Sequence, residues 1–203
     1  MRRGAFLLAL LPALPMLATA CSNAPADFGE SYRRGEAALA QGDARTARIL
    51  LLNAIKADPR NRAARILQAR TYLALGDGVA AQAEIERARA LGVPRGDTGP
   101  LMAHALLLQG RGEEALDELD GASGAYAERM RGRALAAIGD RTAAGAAFDS
   151  AIALAPRDAG LWTDVARFRR AGGELAGALK AADRAVAASP HYVEAITFRG
   201  ELT

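Results

Sequence analysis

The sequence predicts an all-α chain, an α-solenoid of about five helix–turn–helix units followed by a terminal helix. Three observations predict it. A glycine returns at Gly42, Gly76, Gly110, Gly139 and Gly173, spaced 34, 34, 29 and 34 residues apart; a fixed period in this range marks a stacked helical repeat. Three further columns travel with it. Seven positions before the glycine stands a small residue (Gly35, Ala69, Ala103, Gly132, Ala166). Five after it stands alanine (Ala47, Ala81, Ala115, Ala144, Ala178), and twelve after it alanine again (Ala54, Ala88, Ala122, Ala151, Ala185). Composition agrees: helix formers dominate, and of the 203 residues 51% are hydrophobic but only 5% aromatic, which suits closely packed helices better than sheets.

Each column has a physical reason. The glycine ends one helix because the turn takes a left-handed backbone that glycine adopts at little cost. Small residues let two antiparallel helices approach. Seventeen positions after the glycine, Pro59, Pro156 and Pro190 close the second helix, while the second unit has Val93 there with Pro94 one step late; proline cannot continue a helix. With Trp162, Tyr72 and Phe148 in large-residue columns, the pattern resembles the tetratricopeptide repeat (TPR) over about 28–203.

The first twenty residues (1–20) read as a secretory signal. Met1-Arg2-Arg3 is basic, Phe6 to Leu17 is apolar but interrupted by Pro12 and Pro15, and Ala18-Thr19-Ala20 is a small-residue cleavage site. The stretch is too short and broken for a lasting transmembrane helix. It ends on Cys21, the one cysteine. That arrangement resembles the bacterial lipobox, although Ala18 stands where leucine is usual. The resemblance implies lipidation of Cys21 and a short tether over 21–27. An ordinary signal cleaved after Ala20, with a leftover thiol, is the other reading. Ser22 rather than aspartate after the cysteine favours the periplasmic face of the outer membrane.

The units follow in order. The first, near 28–61, predicts helices over Phe28–Gln41 and Ala44–Ala57. The second, 62–95, predicts Arg62–Leu75 and Gly78–Leu91. In the third, 96–124, Thr98-Gly99-Pro100 predicts a helix start with Pro100 in the first turn. Its second helix, Glu113 to Asp120, is short and acidic, and Gly121-Ala122-Ser123-Gly124 breaks the pattern five residues early. This shortening reads either as a bend in the superhelix or as a deletion absorbed locally. The fourth unit, 125–158, is the most regular. The fifth, 159–192, carries Trp162, read as core. A partial unit, 193–203, offers one more first helix, either a cap or the point at which a longer protein continues.

Charge and chemistry narrow the function. The formal net charge is +3, of which Arg2 and Arg3 supply two, so the rest carries +1 and does not mark a nucleic-acid binder. His104 and His191 are the only histidines and lie far apart. No spacing of ligands suggests a metal, no phosphate-binding loop appears, and no catalytic constellation or cofactor is expected. The reading is a non-enzymatic binding protein.

The TPR resemblance implies a concave groove lined by the first helix of each unit. Helical spacing along those helices selects Tyr32, Glu36, Leu39, Ile66, Arg70, Leu73, His104 and Leu107, then Tyr126, Arg129, Arg133, Arg167 and Arg170. Arginine recurs on that face, and guanidinium grips carboxylate in a two-pronged fork. The expected partner is therefore a protein, through an acidic or C-terminal peptide segment held by Arg70, Tyr126, Arg129, Arg133, Arg167 and Arg170; the alternative is a merely solvated charged face. The asparagine–lysine pattern of the chaperone-tail carboxylate clamp is absent. The stretch Ala47-Arg48-Ile49-Leu50-Leu51-Leu52-Asn53-Ala54-Ile55 with Asp58-Pro59, Tyr72-Leu73-Ala74-Leu75-Gly76-Asp77 and Ala88-Arg89-Ala90-Leu91-Gly92-Val93-Pro94 resembles the longer TPR lipoproteins of exosortase and exopolysaccharide export systems. Length, lipobox and repeat count also resemble pilotin-type lipoproteins that assist secretins or pili. An envelope enzyme is a third, weaker reading.

Overall fold

The computed structural model describes residues 27–203. The expected secretory signal and Cys21 lie outside the described residues. Among those described there are helices and turns and no strand. The helices are α1 (Phe28–Ala40), α2 (Ala44–Ala57), α3 (Arg62–Ala74), α4 (Gly78–Ala90), α5 (Arg95–Leu108), α6 (Gly112–Asp117), α7 (Ala125–Ile138), α8 (Arg141–Leu154), α9 (Ala159–Ala171), α10 (Leu175–Ala188) and α11 (Val193–Gly200).

The repeating Gly-Asp dipeptide both stops and starts helices. Gly42, Gly76 and Gly139 have φ of 81°, 76° and 92°, and the next amide, that of Asp43, Asp77 or Asp140, reaches back to the carbonyl of Ala38, Tyr72 or Leu135. The same aspartate then caps the following helix. Its carboxylate accepts from the amide of Thr46, Ala80 or Ala143 at 3.0, 2.9 and 3.0 Å. One dipeptide thereby satisfies carbonyls of one helix and an amide of the next. Asn61 and Asp158 cap α3 and α9 in the same way.

Within a unit the two helices pack antiparallel through the small-residue column. A Cβ on Gly35 would sit 2.8 Å from Leu51 Cγ, and one on Gly132 would sit 2.8 Å from Phe148 Cδ1. Ala47, Ala54, Ala81, Ala88, Ala144, Ala151, Ala178 and Ala185 are fully buried.

The third unit departs from the expectation. Its first helix starts at Arg95 behind Pro94, so Pro100 lies inside α5 and not in its first turn. The penalty is small because the carbonyl that loses a donor belongs to Gly96, an exposed residue. The second helix is Gly112–Asp117, six residues where α2, α8 and α10 have 14, and Glu118–Asp120 form a turn. The shortening is absorbed by charge. Arg89 donates from Nε to Thr98 Oγ1 at 2.8 Å and from Nη2 to Glu118 Oε2 at 2.6 Å, and Arg95 lies 3.0 Å from the other carboxylate oxygen. Arg131 on α7 donates to the carbonyls of Leu119 and Ala122 at 2.9 and 3.1 Å.

Two apolar clusters stand out among the described residues. Leu73, Ile85, Met102, Leu106, Leu119 and Met130 belong to the first. Phe148, Leu161, Trp162, Val165, Ala182 and Phe198 belong to the second. Trp162 is core, as its column predicts: its side chain is buried, Nε1 donates to Pro156 O at 2.8 Å, and Arg184 covers the ring at 4.6 Å. Helix α9 meets α7 and α8 over short stretches, and α7 is tied to α9 by ion pairs, described next.

Candidate functional site

The odd-numbered helices turn one face each toward a common groove of about 1220 Å³. Its α-helical spacing is regular: Leu101, His104 and Leu108 on α5, Tyr126, Arg129 and Arg133 on α7, and Asp164 and Arg167 on α9 all line it. Leu39 and Leu73 make its N-terminal end apolar, whereas Tyr192 and Glu194, at the start of α11, close the other end.

Of the arginines expected on this face, Arg70, Arg129, Arg133 and Arg167 line the groove with Tyr126. Arg170 does not: it pairs with Glu201 at 3.0 Å and lies over Phe198 at 4.4 Å, at the far side of α11. Tyr32, Glu36 and Ile66 line a smaller neighbouring cavity of about 340 Å³ that shares Arg70, and Leu107 borders neither.

Two carboxylates that the arginine pattern does not reveal sit among the guanidinia. Asp164, with a side chain 6% exposed, accepts from Arg129 Nε at 2.7 Å; Arg133 and Arg167 stand 3.9 Å from it. Glu194 lies 2.6 Å from Arg167 Nη1. Asp164 stands three residues before Arg167, and Glu194 stands six before Gly200, the register that Tyr126 holds before Gly132, so the repeat spacing could have found both. Burial works against the charge on Arg129, but Asp164 more than offsets it and holds the guanidinium above its ordinary range. Burial likewise opposes ionisation of Glu194, and the Tyr192 hydroxyl and Arg167 overcome it, leaving the carboxyl below its usual range. Tyr192 is pushed up by burial and by the hydrogen bond it shares with Glu194.

At the groove's centre His104 Nδ1 and the Tyr126 hydroxyl are 2.7 Å apart. Burial, then the nearby Arg133 and Arg129, push His104 down to about 3, so the ring is neutral at pH 7. Burial pushes Tyr126 up to about 12 against the pull of the arginines. A neutral imidazole and a phenol share one hydrogen and keep one more donor and one more acceptor whichever tautomer is present. The pair is thus a polar but uncharged floor beside the guanidinia. Arg70 is exposed, and among the described residues neither Arg70 nor Arg133 hydrogen-bonds a carboxylate. The arrangement suits recognition of an anion. Among the described residues the groove lining holds no serine, threonine, cysteine or lysine, and no three metal-ligating groups cluster.

The family model described as "Tetratricopeptide repeat" matches residues 32–100 and 129–193. No curated protein matches the chain in sequence. Among solved structures it is similar to a thermophilic TPR protein of Thermus thermophilus, with 23% identity, a TM-score of 0.74, and 87% of this chain covering 98% of that one. It is also similar to PilW, a widely conserved type IV pilus biogenesis factor, at 18% identity and a TM-score of 0.62, covering 86% of this chain and 91% of that one. YrrB, a TPR protein with an unusual peptide-binding site, is 18% identical with a TM-score of 0.50, covering 86% and 92%.

Proposed function

This chain belongs to the tetratricopeptide repeat family, and on that premise we propose that it is a non-catalytic adaptor that grips an acidic or C-terminal peptide segment of a protein partner in its arginine-lined groove. The observation that carries the reading is the convergence of Arg70, Arg129, Arg133 and Arg167 on one face of about 1220 Å³. The α5 and α7 walls of the groove follow helical spacing, so the guanidinia are presented by rigid elements, which lowers the ordering cost of binding.

The adaptor is anchored to the envelope through a lipidated Cys21 and a tether over 21–27, and it serves exopolysaccharide export or protein sorting. The Met1-Arg2-Arg3 basic start and the Ala18-Thr19-Ala20-Cys21 sequence support this, and no described helix is long and apolar enough to cross a membrane. Several acyl chains would make the attachment durable where one is marginal. A second reading, assistance in pilus or secretin assembly, is favoured by the near end-to-end match with PilW.

The test is in-cell photo-crosslinking from position 133, with mass spectrometry of the captured protein. One envelope protein, lost when Arg129 and Arg133 are both replaced by glutamate in a chain that still folds, is the expected result. Retained capture would overturn the groove reading. For the anchor, Cys21→Ser is expected to move the protein from the membrane to the soluble fraction and abolish acyl labelling.

A further inference from the structure

The groove already holds two carboxylates, and they differ in kind. Asp164 sits within α9, its side chain 6% exposed, with Arg129 Nε at 2.7 Å. Glu194 is the second residue of α11, its side chain 44% exposed. Helix α11 is lightly held. It has eight residues and buries Ala195 and Phe198, leaving Val193 72% and Ile196 46% exposed. Among the described residues, only Arg167, at 2.6 Å, and the Tyr192 hydroxyl hold the Glu194 carboxylate. Asp164 is therefore a built-in counter-charge, whereas Glu194 can leave with a rotamer change and be solvated.

The charge count makes room for one more anion. Arg70, Arg129, Arg133 and Arg167 face Asp164 and Glu194 within the groove, and Asp158 lies 3.7 Å from Arg129 at its edge, an excess of one positive charge. Arg133 lies 3.9 Å from its nearest carboxylate, beyond hydrogen-bonding distance, so its donors are uncommitted. Both Arg133 and Arg167 stand over Asp164, one from α7 and one from α9.

We propose that Glu194 occupies the place of a ligand carboxylate: a peptide's carboxylate displaces it from Arg167 and is held jointly by Arg167 and Arg133, beside the Tyr126–His104 pair. The inference rests on the groove reading above and adds which internal group the ligand replaces. An acidic side chain and a free C-terminus supply the same chemistry.

Two single-carboxylate probes separate those sources. N-acetylalanine carries only a terminal carboxylate, and N-acetylglutamic acid α-amide only a side-chain one. Each is titrated into the full mature chain and into its Glu194→Gln variant, following the arginine Nε–H resonances by NMR. Removing the competing charge is expected to tighten binding of at least one probe about fivefold or more, with Arg133 and Arg167 resonances shifting together. In the native chain the same titration is expected to perturb the amides of α11. Equal affinity in the two proteins, shifts confined to other arginines, or no response from the Glu194→Gln chain would each overturn the inference. Because Glu194 is substantially exposed, the variant is expected to fold, and an unchanged amide spectrum of α1–α9 checks that. Loss of the cellular partner on arginine reversal, with probe affinities equal in the two proteins, sinks this inference alone. Retained capture sinks the groove reading whatever the probes do.

Discussion

Removing the Asp164 carboxylate leaves buried Arg129 with Asp158 alone, at 3.7 Å, and takes from Arg133 its nearest carboxylate. Breaking a buried pair costs more than the pair itself contributes, because the remaining charge stays desolvated. Asp164→Asn is therefore expected to destabilise the fold by about 2–3 kcal/mol, which calorimetry would read as a melting temperature lower by about 5–10 °C. Gln68 points the other way. It is fully buried, and neither its amide nitrogen nor its oxygen has a partner. Met102 and Val165 occupy the same column in later units. Gln68→Met keeps the volume and removes two unsatisfied groups, so urea denaturation is expected to show a gain of about 1 kcal/mol. His104 adds a pH dependence. Its folded value of about 3 lies below the ordinary value of 6.5, so between those limits the unfolded chain binds the extra proton. Stability therefore rises with pH through this window and is lost as pH falls from about 6.5 toward 3, by up to about 1.4 kcal/mol per unit. His104→Phe is expected to flatten that limb of the stability–pH curve relative to the native chain. At this scale the sequence was informative about cations and silent about their pairing. Arginines stand out by repetition; Asp164 and Glu194 can be placed on the groove face by spacing, but that they pair with those arginines emerges only when α7, α9 and α11 are placed side by side.

Helix α6 shows how an element survives losing half its length. With six residues it has too few hydrogen bonds to persist alone, and its position depends on α5 coming close. A Cβ on Gly99 would lie 2.4 Å from the Glu118 carbonyl oxygen, which is backbone and cannot swing aside. Gly99→Ala is expected to cost about 1–3 kcal/mol and to speed amide exchange in α6 before any other helix. Element boundaries were otherwise legible, because the Gly-Asp dipeptide writes both the stop and the start into two adjacent letters. The exception has a physical cause. A proline is read as a helix start by default, but Pro94 already supplies that start, and Pro100 is tolerated because the carbonyl it leaves without a donor faces water. Arg170 is drawn away from the groove by Glu201, which caps the end of α11 in the column that Arg133 and Arg167 hold in their units.

Among the described residues two apolar clusters stand out, with buried Leu51 and Ile55 of α2 outside both. Helix α7 belongs to the first, and α8 and α9 to the second; Arg129–Asp164 joins α7 to α9, while Phe148 of α8 packs on Gly132 of α7 and lies 5.3 Å from Phe168 of α9. Repeat arrays are stable as a sum of units and interfaces, so weakening one interface uncouples its neighbours. Trp162, the sole tryptophan, reports on the second cluster alone. In the native chain its fluorescence and far-UV circular dichroism are expected to share one urea midpoint. In Asp164→Asn the fluorescence midpoint is expected to fall below the other, and coincident transitions would refute the uncoupling.

That boundary also sets how the protein yields to tension. Apolar interfaces resist a pull over a broad area, whereas an ion pair gives way over a few ångströms once water enters. A solenoid stretched from its ends would part first between its fourth and fifth units, where α9 meets α7 and α8 over short stretches, once the Arg129–Asp164 pair and the Phe148–Phe168 contact give way. The arginines that line the groove would be carried apart by the same motion. Load borne along the array and hold on the occupant are thus set by one joint, which behaves as a mechanical fuse.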